Sequence, residues 1–266
     1  MSASLAAGAR LRVCAVNYLN TVPLVWGMLH GSQRGLFELI FRLPSECAQM
    51  LESGEVDVGL VPSIEARRLE LEMIRGAGIA SRGPVRSILL VSKVAPGAIR
   101  TLAADSGSRT SVALAQIVLA ERYGAFPEVT PMPPELPSML EAADAALIIG
   151  DPALRLDPPA LPFLVLDLGA EWTEMTGLPM VFAVWAGRRE RLTPEVAPAF
   201  LESCRFGLAH IEDIVRQEAP RRGIDEALAR RYLTRHMVLE LGEEEYRGLE
   251  RFLACARDLA ARRAEV

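Results

Sequence analysis

Several things are scarce in this chain, and each scarcity narrows what it can be. No apolar run approaches the roughly 20 residues that a membrane-spanning helix needs, so no membrane partner is expected. Basic charge is not in excess. A formal net charge of −5 argues against nucleic acid, which requires a basic footprint. Lysine is nearly missing: Lys93 is the only one, and the arginines that replace it are scattered along helical faces, which reads as proteome bias. Cys14, Cys47, Cys204 and Cys255 lie far apart without metal-ligand spacing, so reduced thiols are expected rather than a zinc site or a disulfide framework. The three histidines, His30, His210 and His236, fall outside every polar motif and on segments that read as helical.

What is present describes a globular protein. With 266 residues, 50% hydrophobic and 24% charged, the chain can bury a sizeable core in one or two domains. Met1 to Ala9 is small and weakly apolar, with no basic region before it and no long apolar core. That fails the signal-peptide pattern, and the expected location is cytoplasmic.

The periodicity reads as two α/β lobes. Leu11 to Val16 is a first strand and Pro23 to His30 a first helix, with Thr21 placed to cap it and Gly31 to stop it. Phe37 to Leu43 is a strand, Glu46 to Ser53 a short helix, and Val56 to Val61 a buried strand. A second unit echoes this plan, with a helix over Leu136 to Ala142 and a strand over Ala145 to Ile149. An Asp precedes each buried strand, Asp57 in one unit and Asp144 in the other. Ser87 to Ser92 reads as a strand crossing between lobes, and Pro179 to Trp185 as the return. The Pro-rich stretches 127–137 and 158–162 read as loops. From Thr193 the tail is helical, in runs Glu195 to Glu218, Ile224 to Arg235 and Glu243 to Arg263, and is expected to pack on the first lobe. Glu243-Glu244-Glu245 reads as a helical first turn with a solvated face.

Polar residues concentrate in a few turns. Asn17-Tyr18-Leu19-Asn20-Thr21 joins the first strand to the first helix, where α/β sheets bind ligands, although asparagines in such a turn can serve geometry alone. Ser106-Gly107-Ser108-Arg109-Thr110-Ser111 opens a strong helix after the strand Thr101 to Ala104. Its hydroxyls can cap the helix, and with Arg109 they can also seat a carboxylate. Four hydroxyls and an Arg in six residues favour the seat; Arg109 can equally point to solvent. Ser87 stands at the start of its strand, with Arg86 on the opposite face; its hydroxyl can meet a ligand or the backbone. Asp151, after Gly150, can cap a short helix or touch a ligand. Trp172 can cover a planar ligand or fill the core.

Six stretches in order resemble one family: Asn17 to Leu24, Asp57 to Pro62, Gly83-Pro84-Val85-Arg86-Ser87, Ser108 to Ser111, Ile149-Gly150-Asp151, and Trp172 through Gly177-Leu178-Pro179. The chain resembles the chorismate dehydratases of the futalosine route to menaquinone over roughly residues 11 to 190. The resemblance implies an α/β, two-lobed, type II periplasmic-binding-protein-like fold with two hinge crossings and a helical C-terminal tail. Lobe 1 would comprise 1–91 and 181–266, and lobe 2 would comprise 92–180. It further implies elimination of water from chorismate to give 3-(1-carboxyvinyloxy)benzoate, with no metal and no organic cofactor. Asn20 and Ser87 would be catalytic. Tyr18, Thr21, Ser63, Ser108, Arg109, Thr110, Ser111, Gly150, Asp151 and Trp172 would bind substrate. No dedicated base stands out beyond Asp105, Asp151 and Glu171, which suits a mechanism in which the enolpyruvyl carboxylate takes the proton. Other readings are a transport solute-binding protein, a cytoplasmic sensing module, and the sibling enzyme that makes 1,4-dihydroxy-6-naphthoate. The sibling's first turn is of the Ser-Pro-Cys-Pro-Asn-Asp type, unlike the turn here. The oligomeric state is not legible.

Overall fold

The computed structural model describes residues 10–105, 107 and 109–264. The first stretch runs β1 (Leu11–Val16), a 3-10 turn (Leu19–Thr21), α1 (Val22–His30), β2 (Phe37–Arg42) and α2 (Pro44–Ser53). It continues through β3 (Val58–Pro62), α3 (Ser63–Arg68) and β4 (Glu72–Ser81). The middle runs β5 (Ile88–Ser92), β6 (Thr101–Asp105), α4 (Arg109–Tyr123), β7 (Glu128–Met132) and α5 (Leu136–Ala142). Then come β8 (Ala145–Ile149), α6 (Asp151–Leu154), β9 (Leu164–Asp167) and α7 (Leu168–Thr176). The last stretch runs β10 (Met180–Gly187), α8 (Val196–Ala209), α9 (Ile211–Arg221), α10 (Glu226–Arg231), a π-helical turn (Tyr232–His236), β11 (Val238–Glu240) and α11 (Glu243–Ala264). Among the described residues no helix is long and apolar enough to cross a membrane.

The chain divides into two compact units, one of residues 1–80 and 181–242, the other of 81–180 and 243–266. Among the described residues the first unit carries a six-stranded sheet in the order β11-β4-β10-β3-β1-β2. Its interior strands β1 and β3 pair in parallel and are buried on both faces, which is why they read as near-continuous apolar runs. On one flank α1 packs on α8 at short range. A Cβ at Gly27 would lie 2.5 Å from Ser203 Cα, so only glycine fits. The Ser203 hydroxyl accepts from Met28 N–H at 3.1 Å and donates to Leu24 O at 2.8 Å, clasping the two helices. The second unit carries a five-stranded sheet, β7-β6-β8-β5-β9.

The two aspartates that echo in sequence do the same work in the two units. Asp57 Oδ2 accepts from Arg12 N–H at 2.9 Å, tying the start of β3 to the start of β1. Asp144 Oδ2 accepts from Arg100 and Thr101 N–H at 2.9 and 3.0 Å, tying the start of β8 to the start of β6. Each carboxylate serves backbone donors that the parallel neighbour leaves open near its N-terminal end.

Three expectations need correction. The strand Ile88–Ser92 lies inside the second unit's sheet, so the division falls at 80/81 rather than after 91. The last helix belongs to the second unit, not to lobe 1, so the chain passes between units at 80/81, 180/181 and 242/243. The reason is side-chain chemistry on α11. Phe252 is fully buried edge-to-face against Trp172, with ring centroids 6.0 Å apart. Gly248 sits where a Cβ would strike the Pro179 carbonyl, and Glu245, buried, pairs with Arg82 at 2.7 Å. The Glu243-Glu244-Glu245 run is therefore not simply a solvated face. Third, Thr21 does not cap α1. Its backbone is already helical because the 3-10 turn runs straight into α1, and no side-chain cap bond forms.

Candidate functional site

In the first unit, parallel pairing of β1 with β3 places their C-terminal ends side by side, and the antiparallel β10 starts at the same rim, with Ala183 opposite Pro62. The turn 17–21 follows β1 at this rim and Ser63 follows β3. Ser63 is buried, and its hydroxyl donates to Val181 O at 2.9 Å, which fastens the head of α3 to the start of β10. Asn17 is committed to the turn: its N–H donates to Arg42 O at 3.0 Å, and Arg222 donates to its carbonyl at 3.2 Å and its Oδ1 at 3.3 Å. Asn20 stands half-buried, donating from Nδ2 to the Tyr232 phenol oxygen at 2.9 Å, with Thr21 Oγ1 3.5 Å from its Oδ1. Tyr18 stands beside them, half-buried, at the head of the 3-10 turn.

The second unit gathers its polar residues by the same logic. β6 runs parallel to β8, β5 antiparallel to β8, and β9 antiparallel to β5. The C-terminal ends of β6, β8 and β9 and the start of β5 consequently share one rim. Ser87 and Gly150 meet there, with Gly150 N–H donating to Ser87 O at 2.8 Å. Gly150 has φ 69° and ψ −144°, a conformation reserved for glycine, and its N–H is spent on Ser87; it positions Asp151 rather than donating to a ligand. Asp151, buried, opens α6 without a side-chain cap bond from the residue before it.

Asp167, which the sequence reading passed over, organises this rim. Its carboxylate accepts from Gly169 and Ala170 N–H as the cap of α7, and from Val85 and Arg86 N–H at 2.9 and 2.6 Å. Those bonds hold Arg86 at φ 65°, a left-handed conformation uncommon for a non-glycine residue. The Arg86 guanidinium donates to Ala153 O and Leu156 O at 2.9 and 2.5 Å. An Asp immediately before a helix was the signal available for Asp167.

The head of α4 completes the rim. Ser108 lies outside the described residues; Thr110 and Ser111, in the first turn, are buried. Asp105, at the end of β6, accepts from Gly107 N–H at 2.8 Å through Oδ1, while its buried Oδ2 has no partner among the described residues. Burial pushes its carboxyl pKa up, against the lowering effect of that one N–H. Asp105 and Arg109 line a cavity of about 300 Å³ with Gln116, Val112, Val129 and Pro131.

Two candidates leave the set. Trp172 is fully buried, its indole N–H donating to Pro179 O at 3.1 Å and its ring packed on Phe252, so it is a core residue with no open face. Glu171 is engaged in joining α4 to α7: it accepts from Tyr123 O–H at 2.8 Å and pairs with Arg122 at 2.7 Å.

Residues 11–258 match the model of the menaquinone biosynthesis family. This chain belongs to that family. A chorismate dehydratase of Thermus thermophilus is 33% identical over 253 residues, spanning 88% of this chain and 91% of the relative. Among solved structures, a protein of Archaeoglobus fulgidus superposes with a TM-score of 0.74 at 21% identity, covering 97% of this chain and 98% of its own. The periplasmic aliphatic sulphonate binding protein of Escherichia coli superposes with a TM-score of 0.65 at 15% identity, covering 97% and 89%. At those identities the likeness shows the fold alone: this member of the menaquinone biosynthesis family has the two-lobed α/β periplasmic-binding-protein fold, with a helical C-terminal end.

Proposed function

We propose that this chain is a chorismate dehydratase, a hydro-lyase acting in the cytoplasm. The observation that carries this reading is the 33% identity to the Thermus thermophilus enzyme over nearly the whole chain. The residues present suit the chemistry. Chorismate carries two carboxylates, and its dehydration removes the ring proton on the ether-bearing carbon and the neighbouring hydroxyl. The ring becomes aromatic and one water leaves. The enzyme must seat both carboxylates, stabilise negative charge that spreads into the ring carboxylate, and assist the departing hydroxide.

Thr110, Ser111 and the N-terminal N–H groups of α4, with Arg109, form one carboxylate seat, where the helix dipole adds to the attraction. Asn20 stabilises the reacting array on the first unit, where Tyr18, Thr21 and Ser63 are the further residues assigned to substrate binding. Ser87 holds a carboxylate or the leaving hydroxyl on the second, beside Asp151. The substrate's enolpyruvyl carboxylate takes the ring proton. Asp105, whose carboxyl is pushed toward the neutral form, is the first protein group to test as an alternative base. Purified protein incubated with chorismate should yield a product whose proton spectrum shows a meta-disubstituted benzoate. A spectrum showing chorismate intact would refute the reading.

A further inference from the structure

We propose that Tyr232 is a positioning residue for the reaction. It would orient the Asn20 carboxamide through its phenol oxygen, an inference that rests on the proposed role of Asn20 in dehydrating chorismate. The two residues are 212 positions apart and meet within the first unit through one bond, Asn20 Nδ2–H to Tyr232 Oη at 2.9 Å.

The local structure is built to deliver that phenol. α10 is capped by Asp225, whose carboxylate accepts from Leu228 N–H, and runs only from Glu226 to Arg231. The chain then widens into the π-helical turn Tyr232–His236, closed by a bond from Met237 N–H to Tyr232 O at 3.2 Å. The wider turn buries two consecutive side chains, Tyr232 at 1% exposure and Leu233 at 2%, while Thr234 and Arg235 stay exposed. Such turns are uncommon and concentrate at functional sites. An apolar ring would satisfy packing at that depth; a phenol there needs a partner to offset its desolvation. One partner is a carboxamide that the sequence already places in the reactive turn.

The bond matters because a carboxamide is two-ended. Asn20 offers two N–H donors and one carbonyl, and rotation about its last torsion is soft. With one Nδ2–H given to Tyr232 and Thr21 Oγ1 near Oδ1, the plane of the amide and the direction of its second N–H are set before substrate arrives. A donor aimed in advance stabilises developing charge without reorganising during the reaction. Arg222 holds Asn17 in the same turn, so the α9-to-π segment grips the turn at both ends.

Tyr232→Phe keeps the ring and removes only the oxygen. It should lower kcat for chorismate by about tenfold, the loss of roughly one hydrogen bond, with KM within about twofold. In an Asn20→Ala background the same change should have no further effect on kcat, because the group it orients is gone. Asn20→Ala with normal turnover would overturn the role of Asn20 itself. Asn20→Ala impaired with Tyr232→Phe at full kcat would overturn only the positioning role. Equal losses from Tyr232→Phe in both backgrounds would make Tyr232 merely structural and overturn it as well. Should Tyr232→Phe fail to fold, the nitrogen-15 spectrum of the intact wild-type chain decides. One Asn20 side-chain proton, assigned by its loss in Asn20→Ala, should exchange slowly, and rapid exchange of both would refute the bond.

Discussion

Asp57 gives the most sharply defined stability prediction, because its carboxylate is buried among donors that are all in place. Its side chain is only 6% exposed, and its oxygens accept from Arg12 N–H, Arg12 Nε and Nη2, and Arg191 Nε at 2.9 to 3.3 Å. Burial by itself raises the carboxyl pKa. The bonds from the Arg12 side chain and backbone and from Arg191 more than reverse this, leaving it at about 2. Relative to an unperturbed Asp near 3.9, that depression corresponds to at most about 2.6 kcal/mol in favour of the folded charged form, and to about 2 once the hydration of its arginine partners is allowed for. A depressed pKa stabilises the fold above the unfolded value and loses that contribution as pH falls through the folded one. The gain is therefore complete above about pH 5 and gone below about pH 2. Asp57→Asn should cost about 2 kcal/mol at pH 7, or about 4–8 °C in Tm. Arg12 and Arg191 remain 40% and 45% exposed and stay hydrated, so the cost stays below the 3–5 kcal/mol typical when a fully buried pair is broken. Urea unfolding of both proteins at pH 7, 4 and 2.5 tests this: the difference should shrink as pH falls. A difference that is constant with pH, or that grows on acidification, would show that the Asp57 carboxylate does not stabilise the fold through its charge.

Other predictions concern the site and the core. Thr110→Ala should raise the KM for chorismate by about tenfold or more, as expected for a lost charge-assisted bond, with under about 1 kcal/mol of stability lost in urea titration. An unchanged KM with a lowered Tm would make Thr110 a cap only. Trp172→Ala should destabilise by about 3–5 kcal/mol while any folded fraction keeps its affinity for chorismate in calorimetry, as its buried contacts require. Asp105→Asn should leave kcat within a few-fold if the substrate supplies the base, measured by single-turnover kinetics across pH; loss of several orders of magnitude would transfer that role to Asp105.

The parts of the fold that were legible were those with local signals. β1, α1, α5 and β8 lie where periodicity and Pro/Gly punctuation set them, and the repeated Asp before a buried strand marked a shared device. β4 escaped because Gly76 and Gly78 interrupt its pattern. Gly78 is required by the backbone of β10, where the Ala183 carbonyl oxygen would lie 2.8 Å from a Cβ, a neighbour far away in sequence. β7 read as a loop because of its prolines, yet an edge strand tolerates Pro131. The run 195–218 breaks into α8 and α9 at His210, where no Gly or Pro announces the break. The polar turns of the site were legible because each follows a strand. The bonds of Tyr232 to Asn20 and of Asp167 to residues 85–86 were not, because only tertiary structure brings those partners within reach. Trp172 misled because an aromatic beside polar residues looks the same in sequence whether it faces a ligand or Phe252.

Removal of water from chorismate, with Asn20 at the reacting centre, is the proposal on which the other roles depend. The most direct measurement is mass spectrometry of chorismate incubated with the wild-type protein and, in parallel, with Asn20→Ala. The wild type should give an aromatic product lighter than chorismate by one water, formed roughly 10²–10³ times more slowly by the variant. Chorismate recovered unchanged, a product formed by loss of pyruvate instead of water, or equal rates from the two proteins would contradict it.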